Sequence, residues 1–371
     1  MRMATSYVVY LGAHSQGQEF TSIDQSLVTD SHYELLGSFL GRKLIGARYF
    51  NKGYASVAGP LNSTFDSPRD KEGHGTHTLS TAGGNFVAGA SVFGLGNGTA
   101  KGGSPKARVA AYKVCYPPFG GNECLDADIL AAFDTAISDG VDVLPNDATA
   151  SNLAPWQITV GASTMDREFP SYVTLGNNMT FKGESLSRTA LPKDKYFPII
   201  SASDARAANA SVEDALLCKA GTLDPKKAEG KILVCLRGGN ARVDKGEQAA
   251  LAGAVGMVLA NDKDSGNEII ADPHILPASH LNYTNGVAIF AYINSTKSPI
   301  AYITPSTTQI GTKPAPFMVA FSSKGPNTIA PEILKPDITA PGVSIIAATQ
   351  KQKDLKMKIS IPDEFCLTWY Q

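Results

Sequence analysis

The chain has 371 residues, of which 43% are hydrophobic and 18% charged, the ordinary range for a globular protein of two or three domains. Its formal charge of −1 leaves no excess of positive charge to neutralise phosphates or anionic lipid head groups, so we expect no nucleic-acid or membrane-surface partner. The longest apolar stretch, Ala252 to Ala260, falls far short of the roughly 20 residues that cross a bilayer, and Met1 to Leu11 lack the apolar region of a signal peptide.

Asparagines and cysteines nevertheless suggest a secretory ancestry. Cys115 and Cys124 bracket one loop, Cys218 and Cys235 bracket another short segment, and Cys366 is left over. Two disulfides are one interpretation, and five buried thiols of a cytosolic protein are the other. Because glycosylation requires entry to the secretory pathway, we expect the sequons to stay unmodified unless a signal peptide precedes the chain. There are six Asn-x-Ser/Thr sequons, at Asn62, Asn97, Asn178, Asn209, Asn282 and Asn294.

Residues 1–41 predict one strand and one helix that need a partner surface. The strand is Ser6–Leu11, and Ser31 with Glu34 forms a capping box at the helix start. The helix has one apolar face, which two short elements cannot bury by themselves, formed by Leu35, Leu36, Phe39 and Leu40.

Residues 42–176 predict a βαβ unit. A β-rich run over Ala107–Cys115 precedes a helix with Asp126 as N-cap, and Gly140 stops that helix before a strand at Val141–Leu144. Such a unit implies a parallel sheet with ligand chemistry at the carboxyl ends of its strands. The expected buried face of the helix consists of Ile129, Leu130, Phe133 and Ile137.

A second αβ region follows, and then the pattern changes twice. Its elements are a strand at Lys231–Cys235, a helix at Val243–Gly253 and a strand at Val255–Leu259. Short strands with Pro/Gly turns follow up to Ala348. The charged tail after it has no clear periodicity.

The sharpest chemical signal is the run from Gly73 to His77. Two glycines flank His74 at a predicted helix start, which should leave its ring uncrowded and accessible as a general base. A helix start with a capping role is the competing interpretation. A zinc site is a third, since Asp70 and Glu72 lie just upstream of His74 and His77. The spacing is not His-Glu-x-x-His and a further clear ligand is missing, so we expect neither metal nor cofactor.

The stretch Ser67–Gly84 resembles the histidine motif of plant subtilisin-like serine proteases. Other stretches resemble further parts of that family: the propeptide (Ser6–Gly12, Ser31–Gly41), the catalytic domain (Lys43–Phe50, Gly102–Leu144, Pro155–Phe181, Phe321–Asn327, Ile333–Gly342) and the inserted protease-associated domain (Asn177–Thr308).

This resemblance implies an α/β fold, an incomplete subtilisin-like parallel-sheet layer with an inserted protease-associated αβ domain. The predicted units are a propeptide remnant (1–41), the incomplete first part of the catalytic domain (42–176), the protease-associated domain (177–308), a truncated second catalytic part (309–348) and a divergent tail (349–371).

The resemblance also implies a catalytic triad in the chain order Asp, His, Ser, of which only His74 matches. The aspartate turn should precede His74, but Gly41 is followed directly by Arg42. A run leading to the oxyanion-hole asparagine is missing between Leu144 and Pro145. Asp264-Ser265-Gly266 has the expected residue types, but it comes after His74 and inside the protease-associated domain. We therefore expect it to be a turn and not the triad aspartate. No Gly-Thr-Ser nucleophile motif is present, because the four Gly-Thr pairs continue with His77, Ala100, Leu223 and Lys313.

The segments absent from the resemblance are missing between stretches that match it well. This pattern favours skipped exons or a faulty gene model over gradual sequence drift, and it does not distinguish skipped exons from a faulty gene model. The resemblance implies an extracellular, apoplastic serine endopeptidase that acts on proteins or peptides. We expect this form of the chain to be inactive, and the sequence does not indicate an oligomeric state. The alternative is a non-catalytic module that binds a protein through the protease-associated domain or propeptide. A metallopeptidase would need more ligands than His74 and His77 supply.

Overall fold

The computed structural model describes residues 43–71, 73–119, 122–141, 157–319, 321–322, 325–327, 330–347 and 368–370. The predicted elements before residue 42, the predicted strand from Val141 to Leu144 beyond its first residue, and Cys366 lie outside these ranges. No helix in the described ranges is long and apolar enough to cross a bilayer.

Strands and helices alternate along the described part of the chain. The strands are β1 (Leu44–Tyr49), β2 (Val87–Val92), β3 (Leu95–Ala100), β4 (Val109–Lys113), β5 (Cys115–Phe119), β6 (Asn122–Cys124), β7 (Gln157–Ser163), β8 (Arg167–Glu168), β9 (Pro170–Leu175), β10 (Thr180–Glu184), β11 (Phe197–Ser201), β12 (Ile232–Leu236), β13 (Gly256–Ala260), β14 (Ala278–Leu281), β15 (Ile300–Ile303), β16 (Gln309–Ile310), β17 (Ile338–Pro341) and β18 (Thr368–Tyr370). The helices are α1 (Lys52–Ala58), α2 (His74–Gly83), α3 (Asp126–Ser138), α4 (Val212–Leu216), α5 (Pro225–Ala228), α6 (Arg242–Leu251) and α7 (Tyr283–Ser295).

Seven strands close into a barrel that occupies residues 170–303. Their order is β10-β14-β13-β12-β11-β15-β9, and β9 pairs with β10 to close the ring. Strands β11 to β14 run parallel, as the predicted αβ pattern requires. The barrel includes β9, which lies before the predicted domain boundary at 176/177; the predicted domain limits themselves remain predictions.

Both faces of the parallel strands are covered, which explains their nearly continuous apolar sequence. Ile232 and Val234 of β12 pack in one cluster with Ile289 of α7. The intervening Leu233 packs in a second cluster with Ala249 of α6. The barrel core therefore has two apolar layers, one under each helix.

Charged and histidine side chains are buried beside this core. Arg242 Nε donates to Asp272 at 2.5 Å, and both side chains are buried. His280 Nε2 lies 2.6 Å from the side-chain oxygen of Asn261. His274 is 2% exposed, and neither of its ring nitrogens has a hydrogen-bond partner in the described part of the chain. Such groups are stable in the interior only when paired or uncharged.

The protease-like layer is divided into separate small sheets in the described residues. Strand β1 pairs in parallel with β4. Strand β7 pairs in parallel with β17 and antiparallel with β18. The two parallel pairs do not join into one sheet there. An α/β fold with an incomplete parallel layer and an inserted barrel is the architecture that results.

The buried face of α3 differs from the predicted one. Leu130 and Ile137 are 63% and 65% exposed, so the expectation that they face the core is wrong. A pair of hydrogen bonds explains the difference. The carboxylate of Asp128 accepts from the backbone N–H groups of Gly53 and Tyr54 at 2.8 Å and so caps α1. This contact rotates α3 so that its buried residues are Asp128, Ala132 and Ala136, with Ile129 and Phe133 partly buried.

The β2–β3 hairpin connects the layer to the barrel. Val92 and Leu95 pack against Phe169, which is 1% exposed, and the Gly96 N–H donates to the Thr308 hydroxyl at 2.8 Å. Both possible disulfides are present, Cys115–Cys124 across the β5–β6 hairpin and Cys218–Cys235 in the barrel.

Limited proteolysis should leave the barrel as the longest-lived fragment, from about Pro170 to Ile303. Its strands have no open edge and both faces are covered, whereas the protease-like sheets are two- or three-stranded, so they should open first. Mass spectrometry of the fragments over time measures this. Longer survival of residues 43–141 would show that the protease-like layer is the more stable unit.

Lowering the pH from 7 to 4 should destabilise the barrel. Burial lowers the pKa of His274 to about 4 and that of His280 to about 3. Histidines of the unfolded chain take up protons near pH 6.5, so the unfolded state binds more protons in this window. The free energy of unfolding should then fall with pH by up to about 1.4 kcal/mol per unit for each histidine.

Urea titrations at several pH values, followed by hydrogen exchange of β12 and β13 amides, measure this pH dependence. His274→Gln should make it shallower. A wild-type barrel equally stable at pH 7 and 4.5 would contradict the prediction.

Candidate active site

A buried ammonium group holds the loop that precedes the histidine motif. Lys113, on β4, is 2% exposed, and its Nζ donates to the carbonyls of Phe65, Ser67 and Arg69 at 3.0–3.1 Å. A buried lysine is tolerated when its N–H donors are satisfied, and here main-chain oxygens satisfy them. Hydrophobic periodicity does not predict this role, although a lysine inside an apolar strand is a signal for it.

Helix α2 begins with a left-handed glycine and a carboxylate cap. Gly73 has φ 95, a conformation that glycine adopts without a steric penalty. The Asp70 carboxylate accepts from the N–H groups of Gly73 at 2.8 Å and Thr76 at 2.7 Å, and from the Thr76 hydroxyl. It satisfies helix donors that have no intrahelical partner, and its charge suits the positive end of the helix dipole. Asp70 therefore acts as the cap of α2.

His74 is the first residue of α2, as the predicted helix start required. The residue is half-buried, and both ring nitrogens are buried. The expectation of an uncrowded, accessible ring is therefore wrong for the two atoms that would exchange protons. Its role as a catalytic base remains a prediction.

His77 lies on the inner side of the same helix. It is 7% exposed, and its Nε2 lies 3.3 Å from the carbonyl oxygen of Ile345. Burial lowers its pKa to about 4, with a smaller contribution from His74. His77 is therefore neutral at physiological pH and packs α2 against the segment after β17.

The zinc interpretation receives no support from these contacts. The carboxylate of Asp70 is engaged by the helix start, and His77 faces the carbonyl of Ile345. Within the ranges that the structure describes, no three His, Cys, Asp or Glu side chains are grouped closely enough to hold a metal ion.

A small cavity lies between α2 and the carboxyl ends of β7 and β17. Its lining includes Thr81 of α2, Gly161 of β7, Pro341 of β17 and Ile345. Its volume of about 10 Å³ is enough for at most one water molecule, so it provides no space for a peptide.

The Lys-Pro-Asp stretch before β17 has a structural role. The Asp337 carboxylate accepts from Thr159 N–H and from Lys335 Nζ, both at 2.7 Å, and Asp337 N–H donates to the Thr159 carbonyl. These bonds attach the start of β17 to β7. The Asp264-Ser265-Gly266 segment is a turn in the barrel, where Asp262 accepts from Ser265 N–H at 2.8 Å.

Curated relatives of this chain are subtilisin-like proteases, and one family model matches part of it. The family model described as the PA domain matches residues 193–289 of this chain. Subtilisin-like protease SBT5.3 of Arabidopsis thaliana is 59% identical over 345 residues, which cover 83% of this chain and 45% of that protein. Subtilisin-like protease SBT5.4 of the same plant is 60% identical over 346 residues, covering 83% and 44%. The chain thus spans about half the length of the curated relatives it matches.

Solved structures resemble the chain only distantly. The psychrophilic subtilisin-like protease Apa1 from Pseudoalteromonas sp. AS-11 aligns with 73% of this chain and 76% of its own, at 12% identity and a TM-score of 0.27.

Replacing the cap should loosen the start of α2 without unfolding the barrel. Asp70→Ala removes the carboxylate that accepts from the Gly73 and Thr76 N–H groups and should cost about 1–2 kcal/mol locally. Hydrogen exchange of these two amides should accelerate by about tenfold or more. Asp66→Ala, which removes an exposed carboxylate of the same loop, is the matched control. Unchanged exchange in Asp70→Ala would refute the capping role.

Proposed function

The chain belongs to the family of plant subtilisin-like proteases, and we propose that its 371-residue form is a non-hydrolytic member that retains only His74 of the catalytic triad. The observation that carries this proposal is the direct join between Gly41 and Arg42, where the resemblance calls for the aspartate segment. In subtilisin this aspartate fixes the tautomer of the imidazole and stabilises its charged form, and no segment of this chain before His74 matches it.

Asp70 precedes His74 in the required order but is used elsewhere. Its two oxygens accept from Gly73 and Thr76 at the start of α2. A carboxylate in these bonds is oriented toward the helix backbone. This supports its assignment as a cap and leaves the triad aspartate unfilled.

The alignment with the Arabidopsis relatives supports missing internal segments. The match to SBT5.3 is 345 positions long and uses 83% of the 371-residue chain, about 308 residues, so roughly 37 positions face no residue of this chain. The family resemblance itself expects a missing run at the join Leu144-Pro145. That join removes the run that leads to the oxyanion-hole asparagine, whose loss alone costs about 10²–10³ in turnover in subtilisin.

A nucleophile is also missing from the 371 residues, because none of the four Gly-Thr pairs continues with serine. In subtilisin, loss of the serine or histidine lowers turnover by about six orders of magnitude. His74 without a serine to activate has no acyl-transfer step to catalyse.

The closed barrel favours a second function, a non-catalytic module that binds a protein or peptide. Its seven-stranded ring and both core layers lie within residues 170–303, which the joins do not interrupt. An extracellular location is part of the same proposal, since the two disulfides suit an oxidising compartment and Asn62, Asn97 and Asn178 are exposed.

The purified chain should not react with a fluorophosphonate serine probe, with subtilisin as the positive control. His74→Ala should give the same background, because the imidazole has no nucleophile to activate. Intact mass spectrometry after labelling measures the result. Stoichiometric labelling of one serine, lost in His74→Ala, would overturn the proposal.

A further inference from the structure

A groove with an apolar floor opens on the barrel between the β9–β10 turn and helix α7. Its volume of about 650 Å³ lies within the roughly 300–1,000 Å³ of small-molecule sites. Met179 and Ile300 line it and are 47% and 37% exposed, and Tyr292 lies between them at 8%. The groove thus leaves apolar surface of the barrel open to water.

One sequon lies directly on the rim of this groove. Asn178 stands between the lining residues Asn177 and Met179, at the tip of the β9–β10 turn, with φ 65. Asn178 and Thr180 are both exposed, and the Thr180 hydroxyl lies 3.1 Å from the Thr174 hydroxyl on the neighbouring strand β9. One hydrogen bond stabilises the turn, since the Asn177 side-chain oxygen accepts from Met179 N–H at 3.1 Å. The turn therefore places Asn178 between two residues that line the groove.

A second sequon ends at the opposite rim. Asn294 lies in the last turn of α7, and the next two residues, Ser295 and Thr296, line the groove. None of the other four sequons contributes a lining residue. Asn178 is the better attachment site, because it lies on an exposed turn whereas Asn294 lies within helical backbone.

We propose that Asn178 carries an N-linked glycan whose first N-acetylglucosamine residue covers the groove. Asn178 Nδ2 loses a proton and forms a bond to sugar C1 of a dolichyl-pyrophosphate-linked oligosaccharide. The C1–pyrophosphate bond breaks and dolichyl pyrophosphate leaves. The apolar face of the sugar ring then packs on Met179 and Ile300 and removes their apolar surface from water. Glycosylation of Asn178 does not require peptidase activity and needs only entry into the secretory pathway.

The test uses the full chain made behind a cleavable secretory leader in plant cells. Peptide mass spectrometry measures glycan occupancy at Asn178, and mild peroxide treatment measures how fast individual methionines are oxidised. Oxidation follows exposure, so a glycan over the groove should protect Met179. Met318, which is 41% exposed and lies outside the groove, is the internal reference.

Thr180→Val removes the sequon hydroxyl and keeps a β-branched residue in β10. We expect Asn178 to be glycosylated in the wild type, and Met179 to be oxidised several-fold more slowly there than in Thr180→Val. The rate at Met318 should be equal in both. Thr64→Val, which removes a sequon away from the groove, should leave Met179 protected. An unglycosylated Asn178 in the secreted chain, or equal Met179 rates with and without the glycan, would overturn the proposal.

Discussion

The structure depends on whether a sheet can cover its own edges and faces. In the barrel, β9 returns to pair with β10, so each strand has two neighbours, while α6 and α7 cover the two apolar layers. In the described part of the chain the protease-like layer is divided into sheets of two or three strands, such as β1 with β4 and β7 with β17 and β18. Isolated pairs bury little apolar surface, and β-structure becomes independently stable at about three or more strands with a covered face. The two units therefore differ in stability because the barrel closes on itself, and not because their strands differ in local sequence pattern.

Main-chain capping compensates in part for the missing neighbours. Asp70 caps α2, Asp128 caps α1, and Lys113 holds the loop between these helices by its carbonyls. In each case a charged group binds the backbone of an element distant in sequence or at the start of a helix. Such bonds do not need a large sheet to form, which explains why the surroundings of His74 keep a defined geometry. Local order there is consequently poor evidence for a complete catalytic centre.

The sequence predicted element types better than contacts. Regular patterns located the helix that begins at His74 and the strands β12 and β13, because hydrophobic periodicity and glycine stops act locally. The buried face of α3 was mispredicted, since Leu130 and Ile137 satisfy the helical period but the position of Asp128 decides the packing. The role of Lys113 was likewise invisible to periodicity, because its acceptors come from a loop more than 40 residues away.

The candidate site shows the same limit in chemical terms. Residue types at the right spacing identified His74, but a general base is defined by its partners, which come from segments far apart in the chain. Helix α2 can be built from its own cap and from Val109 beneath it, and neither contact places a carboxylate or hydroxyl at the imidazole. Selection on folding alone would preserve Gly73, Asp70 and the packing of α2, and would leave the ring of His74 free to change. The defined geometry of α2 therefore reports on the folding of this helix, and a catalytic role of His74 depends on the residues that meet its ring.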